Sequence, residues 1–181
     1  MFRIAFLSFV FMACSLKTPP ASISTTIGPS VGLHSHWVDL DSGDQSELGG
    51  AFGEALLAAI SAQGFAGVTI DVPTLAAADF AATRTEDRAT ALVGAAAQDL
   101  SQSLVVEASA SLFSQLQGQF RWVVSVDATL VKSGQGEFIT ETVTVEIPVF
   151  LRYQHQGETE AFVAAAPSLD RALGPLLRGL R

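Results

Sequence analysis

Lysine is nearly missing from this chain, with Lys17 and Lys132 the only two among 181 residues. Ten basic side chains face 18 acidic ones, a formal net charge of −8, and the pI is near 4.7. No run of arginines makes up the deficit. A basic stripe able to displace counterions from a polyanion is therefore lacking, and nucleic acid is not an expected partner. Cysteine occurs once, at Cys14, so the folded part has no thiolate to offer a metal. Long hydrophobic runs are lacking too. The one that stands out, Ile4 to Ala13 behind Arg3, is shorter than the roughly 20 residues that span a bilayer and has the size of a signal-peptide core. Elsewhere the apolar residues alternate with Ser, Thr, Gln and Glu, the pattern of a water-facing fold with one buried side. The nucleophile elbow, the phosphate-binding glycine loop, the metalloprotease helix and the Ser-x-x-Lys arrangement are all missing. Gly134-x-Gly136 reads as a hairpin turn, because neither a third glycine nor a following helix supports a dinucleotide site.

What is present begins with the position of Cys14, directly behind the apolar run in the order Phe11-Met12-Ala13-Cys14. A small residue followed at once by cysteine at the end of a signal peptide resembles the lipobox of bacterial lipoproteins, with Phe11 and Met12 in place of the family's usual leucine and small or β-branched residue. The resemblance implies removal of residues 1–13 as a signal peptide and lipid attachment to Cys14, and with Ser15 next in line it implies export to the outer membrane. The other reading is an ordinary secretory signal cut further on. If acylated, the chain holds to its membrane through about 0.8 kcal/mol per buried methylene, which is marginal for one acyl chain and stable for two or more. Removing residues 1–13 takes away one Arg and no acid, so the mature charge is 9 − 18 = −9. Residues 14–30 are rich in Ser, Thr and Pro and form a tether that extends to about 50 Å at ~3.1 Å per residue.

With 49% hydrophobic residues, the remainder, 31–181, has material for a single core and is expected to form one periplasmic domain. A strand is predicted over Val31 to Leu40. Ser46 is placed to cap a helix with Glu47 in its first turn; Leu48, Phe52, Leu56, Ala59 and Ile60 line its buried face, and Gly64 ends it. Phe65 to Asp71 reads as a second strand, followed by a loop around Pro73. A second helix runs from about Glu86 to Leu100, capped by Thr85, with Ala89, Leu92, Val93 and Ala96 on one side. Three alternating strands come next, marked by Leu104 to Leu112, Phe120 to Leu130 and Ile139 to Val149, and a meander is the simplest way to join them. Glu141 interrupts the third near its start. Glu158 to Ala166 reads equally as a short strand or the start of a helix. Beyond it, Leu169, Leu173, Leu176, Leu177 and Leu180 form a helical stripe that Gly174-Pro175 should kink or split. The expected fold is thus α+β: a two-layer domain with a largely antiparallel twisted sheet and two or three helices packed on it, in the order βαβαβββα.

That order resembles the small domain shared by the amino-terminal part of the periplasmic Tol translocation protein, the curli-secretion channel lipoprotein and the lipoprotein activators of penicillin-binding proteins. The likeness covers about Val31 to Lys132 and is carried by Ser61-Ala62-Gln63-Gly64-Phe65, by the Ala-rich helix before Ser103-Leu104-Val105-Val106, and by the Phe120 to Lys132 strand. From Ser103 to Leu180, with Phe162-Val163-Ala164-Ala165-Ala166 before the leucine stripe, the chain also resembles the auxiliary lipoproteins of ABC-type lipid transport systems. The first likeness implies a non-enzymatic accessory or assembly subunit of an envelope complex, held to the membrane by its anchor and engaging an envelope protein. The second implies an auxiliary lipid-binding role. Neither implies a cofactor.

Candidate ligand groups are few. His34 and His36 would share one strand face, as some metal sites require, but His155 lies far off in sequence. Asp39, Asp41, Asp44 and Glu47 are the best candidate for a calcium site, although an EF-hand loop wants Gly where Asp44 stands, and the simpler reading is solvated acids ahead of a helix. Trp37 and Trp122 read as core or rim residues.

Overall fold

The computed structural model describes residues 30–70, 75–96, 100–116, 119–134, 137–153 and 155–179. Cys14, the predicted signal peptide, the loop at Pro73 and Leu180 lie outside them, as does the predicted tether up to residue 29. The elements run β1 (Ser30–Val38), β2 (Gln45–Glu47), α1 (Gly50–Ala62), β3 (Ala66–Thr69), α2 (Ala77–Ala82), α3 (Thr85–Ala96), β4 (Gln102–Leu116), β5 (Gln119–Gly134), β6 (Glu137–Leu151), α4 (Glu158–Ala165) and α5 (Leu169–Arg178). The α+β expectation holds. All six strands join one open sheet in the order β2-β1-β4-β5-β6, with β3 also on β1. The β4-β5-β6 meander is antiparallel, whereas β1 lies parallel to both β3 and β4.

Alternation along the strands decides which residues meet the helices. Leu104, Val106, Ala108 and Ala110 of β4 and Val124, Val126, Ala128 and Leu130 of β5 are buried together with Phe52, Leu56 and Ile60 of α1, Phe162 of α4 and Leu169, Leu173, Leu176 and Leu177 of α5. This is the two-layer core. The residues between them face the other way, where Val105 and Val131 pack under Ala89, Leu92 and Val93 of α3. A partial cover therefore lies on the second face. Leu112, at the far end of the β4 stripe, is 56% exposed beside a register shift between Leu112 and Ser114. Glu141 stands opposite Leu130 and is exposed, as its place near the strand's start suggested.

Several boundaries differ from the sequence reading. Ser46 and Glu47 do not start a helix: they pair antiparallel with Trp37 and His36 as β2, and the Ser35 hydroxyl donates to the Leu48 carbonyl at 2.9 Å. Helix α1 starts later, at Gly50, whose φ of +58° is a left-handed value that a side chain would resist. Its predicted end holds, with Gly64 at φ +85° donating to Ser61 O. Helix α3 includes Thr85 rather than being capped by it, and residues 97–99 lie outside the described set. The short helix α2 had no predicted counterpart. The stretch from Glu158 is helical, with the Gly157 N–H donating to the Glu160 carboxylate at 3.0 Å. Pro175 does not split α5. It sits on the exposed side, and Gly174 before it has no Cβ to clash with the proline ring.

Candidate functional site

Among the described residues, concavities border β1 on both faces of the sheet. The first opens where the starts of α1 and α4 meet the end of β1. Trp37, Leu48, Phe52, Phe162 and Val163 line it, Glu47 and Glu158 stand at its edge, and its volume is about 380 Å³. Phe52 meets Phe162 edge-on at a ring separation of 5.9 Å, and Trp37 lies 6.2 Å from the same ring. The floor is thus a fixed aromatic surface. The backbone at Gly49 and Gly50 borders it with no side chain and open space where a Cβ would stand. Burial raises the carboxyl pKa of Glu158 above its ordinary value, and the charges of Asp39 and Asp41 raise it further. A cleft of this size and lining suits a large apolar side chain or a short aliphatic segment.

The second concavity, about 140 Å³, lies on the polar face between Phe80, Arg88, Glu107, Ser109, Ser125 and Asp127. Its wall is a buried ion pair. Arg88 donates from Nε to Glu107 Oε1 at 2.9 Å and from Nη2 to Glu107 Oε2 at 2.7 Å, a planar two-point fit that only a guanidinium provides. Its remaining donors reach Phe80 O at 3.1 Å, Thr83 O and Thr85 Oγ1, and its guanidinium carbon lies 3.8 Å from the centre of the Phe80 ring. Burial pushes the Glu107 carboxyl up, but the nearby His36 ring and the hydrogen bonds and charge of Arg88 outweigh it and hold the group below the ordinary carboxylate range. Arg88 thereby ties α2 and the start of α3 to β4. Arg88 and Glu107 satisfy one another and lock these elements together, whereas both ring nitrogens of His36 and Oδ1 of Asp127 are buried without a hydrogen-bond partner.

The predicted ligand groups fall into place as follows. His34 and His36 do share a face, with ring centroids 5.1 Å apart, but His36 is only 2% exposed; its Nε2 lies 3.4 Å from Glu107 Oε1 and its ring meets the edge of Phe80. His155 is elsewhere, stacked on Tyr153. Asp39 builds the turn between β1 and β2: its carboxylate accepts from the Asp41 and Ser42 N–H groups at 2.8 and 3.0 Å, which hold its pKa below the usual value. Asp41 and Asp44 lie in that turn and Glu47 on β2. Among the described residues no group of three or more His, Cys, Asp or Glu is placed to hold a metal ion. Trp37 and Trp122 are half-buried against the core, as rim residues should be, and Trp37 also walls the apolar cleft. Sequence reasoning missed the Arg88–Glu107 pair. One signal was available: Glu107 is the single charged residue in β4.

No protein-family model matches the chain, and the search of curated proteins finds no match. Among solved structures the chain is similar to the hypothetical protein CT253 from Chlamydia trachomatis, with 9% identity and a TM-score of 0.46 over 84% of this chain and 95% of that one. It is also similar to lipoprotein GNA1162 from Neisseria meningitidis, with 14% identity and a TM-score of 0.37 over 82% of this chain and 99% of that one. Scores and identities this low transfer no activity or partner. No helix among the described residues is long and apolar enough to cross a membrane.

Proposed function

We propose that this chain is a lipid-anchored protein of the bacterial envelope, held at the periplasmic face of the outer membrane through Cys14, and that its domain is a non-enzymatic accessory subunit binding another envelope protein. The observation that carries the reading is the place of the chain's one cysteine, immediately behind the ten-residue apolar run that ends in Ala13. Support for a non-catalytic role comes from Arg88 and Glu107 being spent on one another, and the cleft beside Trp37 gives the domain a surface of the right chemistry for an apolar anchor of a partner. Metabolic labelling with a palmitate analogue, followed by fractionation, tests the anchor. Label on the wild-type chain in the outer-membrane fraction, lost in Cys14→Ser, is the expected result; a wild-type chain that is unlabelled and soluble in the periplasm refutes it.

The apolar lining of the same cleft favours a second reading, an auxiliary lipid-binding role in a transport system. Native mass spectrometry of the chain from envelopes distinguishes the two. Lipid bound beyond the covalent anchor, and lost in Trp37→Glu, would favour the second reading; crosslinks to one envelope protein without bound lipid favour the first.

A further inference from the structure

Strand β6 is the last strand of the sheet, paired along all 15 of its residues with β5 and, among the described residues, with no strand on its other side. A free edge of that length is one that proteins ordinarily shorten, cover or pair, since it offers unpaired backbone groups to any passing strand. Pro148 fixes which groups are on offer. In an antiparallel ladder successive residues direct their N–H and C=O alternately to one neighbour and the other, and proline is accommodated where its nitrogen faces away from the paired strand. Pro148 stands opposite Val123 of β5, so the residues of its parity, from Phe138 to Phe150, direct their backbone groups outward.

We propose that β6 is a self-association edge, pairing antiparallel with β6 of a second copy of this chain about a twofold axis at Thr144. Three features select that occupant and register. Thr144 is the midpoint of Glu137–Leu151, so only this centre uses the whole edge, and it matches outward-facing residues to outward-facing residues. The same centre places Phe138 of one copy opposite Phe150 of the other. These side chains are 42% and 56% exposed, and Phe138 already borders α3, with ring carbons 3.6 and 3.8 Å from where a Cβ on Gly94 would stand. A cross-strand aromatic pair there covers both rings. Charge agrees as well: Glu137 faces Leu151, Glu141 faces Ile147 and Glu146 faces Thr142. Centres at residue 141 or 146 would instead set identical glutamates directly opposite each other, which is destabilising. The pairing about Thr144 leaves the two copies of Glu146 about 14 Å apart along the strands, at ~3.4 Å per residue. Pro148 costs one hydrogen bond per copy, opposite Thr140.

The test uses the full-length chain, in envelopes and purified in detergent. Under mild oxidation Thr144→Cys is expected to give a disulfide-linked dimer well above the level of the parent chain with Cys14 alone, because a hydrogen-bonded pair sets Cα atoms ~5.5 Å apart. Thr142→Cys should not crosslink by itself but should do so when combined with Glu146→Cys. Thr144→Pro, whose lost N–H is not needed by β5, and Thr144→Lys, which sets like charges face to face, should each retain the wild-type circular dichroism and shift light scattering from dimer to monomer. A wild-type chain that is monomeric in both settings overturns the proposal. So does a dimer indifferent to both Thr144 variants, or a Thr144→Cys chain that crosslinks only to a different envelope protein.

Discussion

Arg88→Met removes the cation from a carboxylate that is only 5% exposed and leaves the methylene stem in place. Five hydrogen bonds disappear: two to Glu107, one each to the carbonyls of Phe80 and Thr83, and one to Thr85 Oγ1. Breaking a buried pair by deleting one partner costs about 3–5 kcal/mol, because the survivor keeps its desolvation without compensation. The two carbonyls lie partly in reach of water and add about 1 kcal/mol at most. At roughly 2–4 °C per kcal/mol for a domain of this size, the melting temperature falls by about 10 °C at pH 7. The cost must also depend on pH. Glu107 is held below its ordinary pKa in the wild type, so its contribution is present above the unfolded value and is lost as pH falls through the folded one. In Arg88→Met burial acts without the arginine, the carboxyl takes up its proton earlier, and the gap between variant and wild type narrows from pH 7 towards pH 4. Urea unfolding followed by the fluorescence of Trp37 and Trp122 reads both quantities. A cost below about 1 kcal/mol at pH 7, or one equal at pH 7 and pH 4, refutes the account.

Two further variants test other parts of the structure. Gly32→Ala inserts a Cβ 2.8 Å from Leu100 Cδ1, 3.0 Å from Ser103 Oγ and 3.1 Å from Ile70 Cγ2; overpacking of this kind costs about 1–3 kcal/mol, and an unfolding midpoint at or above the wild type's would show that β1 has slack to absorb it. Glu158→Gln should stabilise the fold at neutral pH: partial burial and the charges of Asp39 and Asp41 raise the carboxyl's folded pKa, so the native state favours its neutral form and the acid loses stability as pH rises through that value. The gain should vanish below the unfolded pKa, and a Gln variant less stable than the wild type at pH 7 contradicts this.

The parts of the fold legible in the sequence are those where one side of an element is apolar and the other is not. Leu104 to Ala110, Trp122 to Leu130 and Val143 to Val149 alternate, with Val105 and Val123 the apolar exceptions, and their strands and meander follow from that period. The leucines of α5 do the same at helical spacing, strongly enough to hold the helix across Pro175. Legibility fails where tertiary contacts override local preference. Ser46-Glu47 has the chemistry of a helix start, but pairing with Trp37 and His36 makes it a strand, and the start moves to a glycine pair with no capping side chain. Helix α2 has only six residues, too few for a periodic pattern, and is tied down by Arg88 donating to the carbonyls of Phe80 and Thr83. The site was harder still. Nothing local says that Arg88 and Glu107, 19 residues apart, will meet, or that Trp37 will share a wall with Phe162.

The position of Glu107 in the ladder suggests what the pair is for. It lies in one cross-strand row with His36, Asp127 and Thr144, on the face opposite Leu104 and Val106. A one-residue slip of β4 would carry Glu107 into the apolar core and Val106 out of it, so the carboxylate penalises every neighbouring register of the β1–β4 pairing. A buried ion pair need not be more stable than an apolar replacement of similar volume. Combining Arg88→Met with Glu107→Leu removes the unpaired charge along with its partner, and the double variant should recover most of the stability lost in Arg88→Met alone, coming within about 1–2 kcal/mol of the wild type. What it should not recover is uniqueness: amide exchange in β1 and the first half of β4 should quicken relative to β5 and β6, whose apolar alternation fixes their own register. A double variant as unstable as Arg88→Met would show instead that the guanidinium's bonds to Phe80, Thr83 and Thr85 carry the energy, and that the pair with Glu107 is incidental to holding β4 in place.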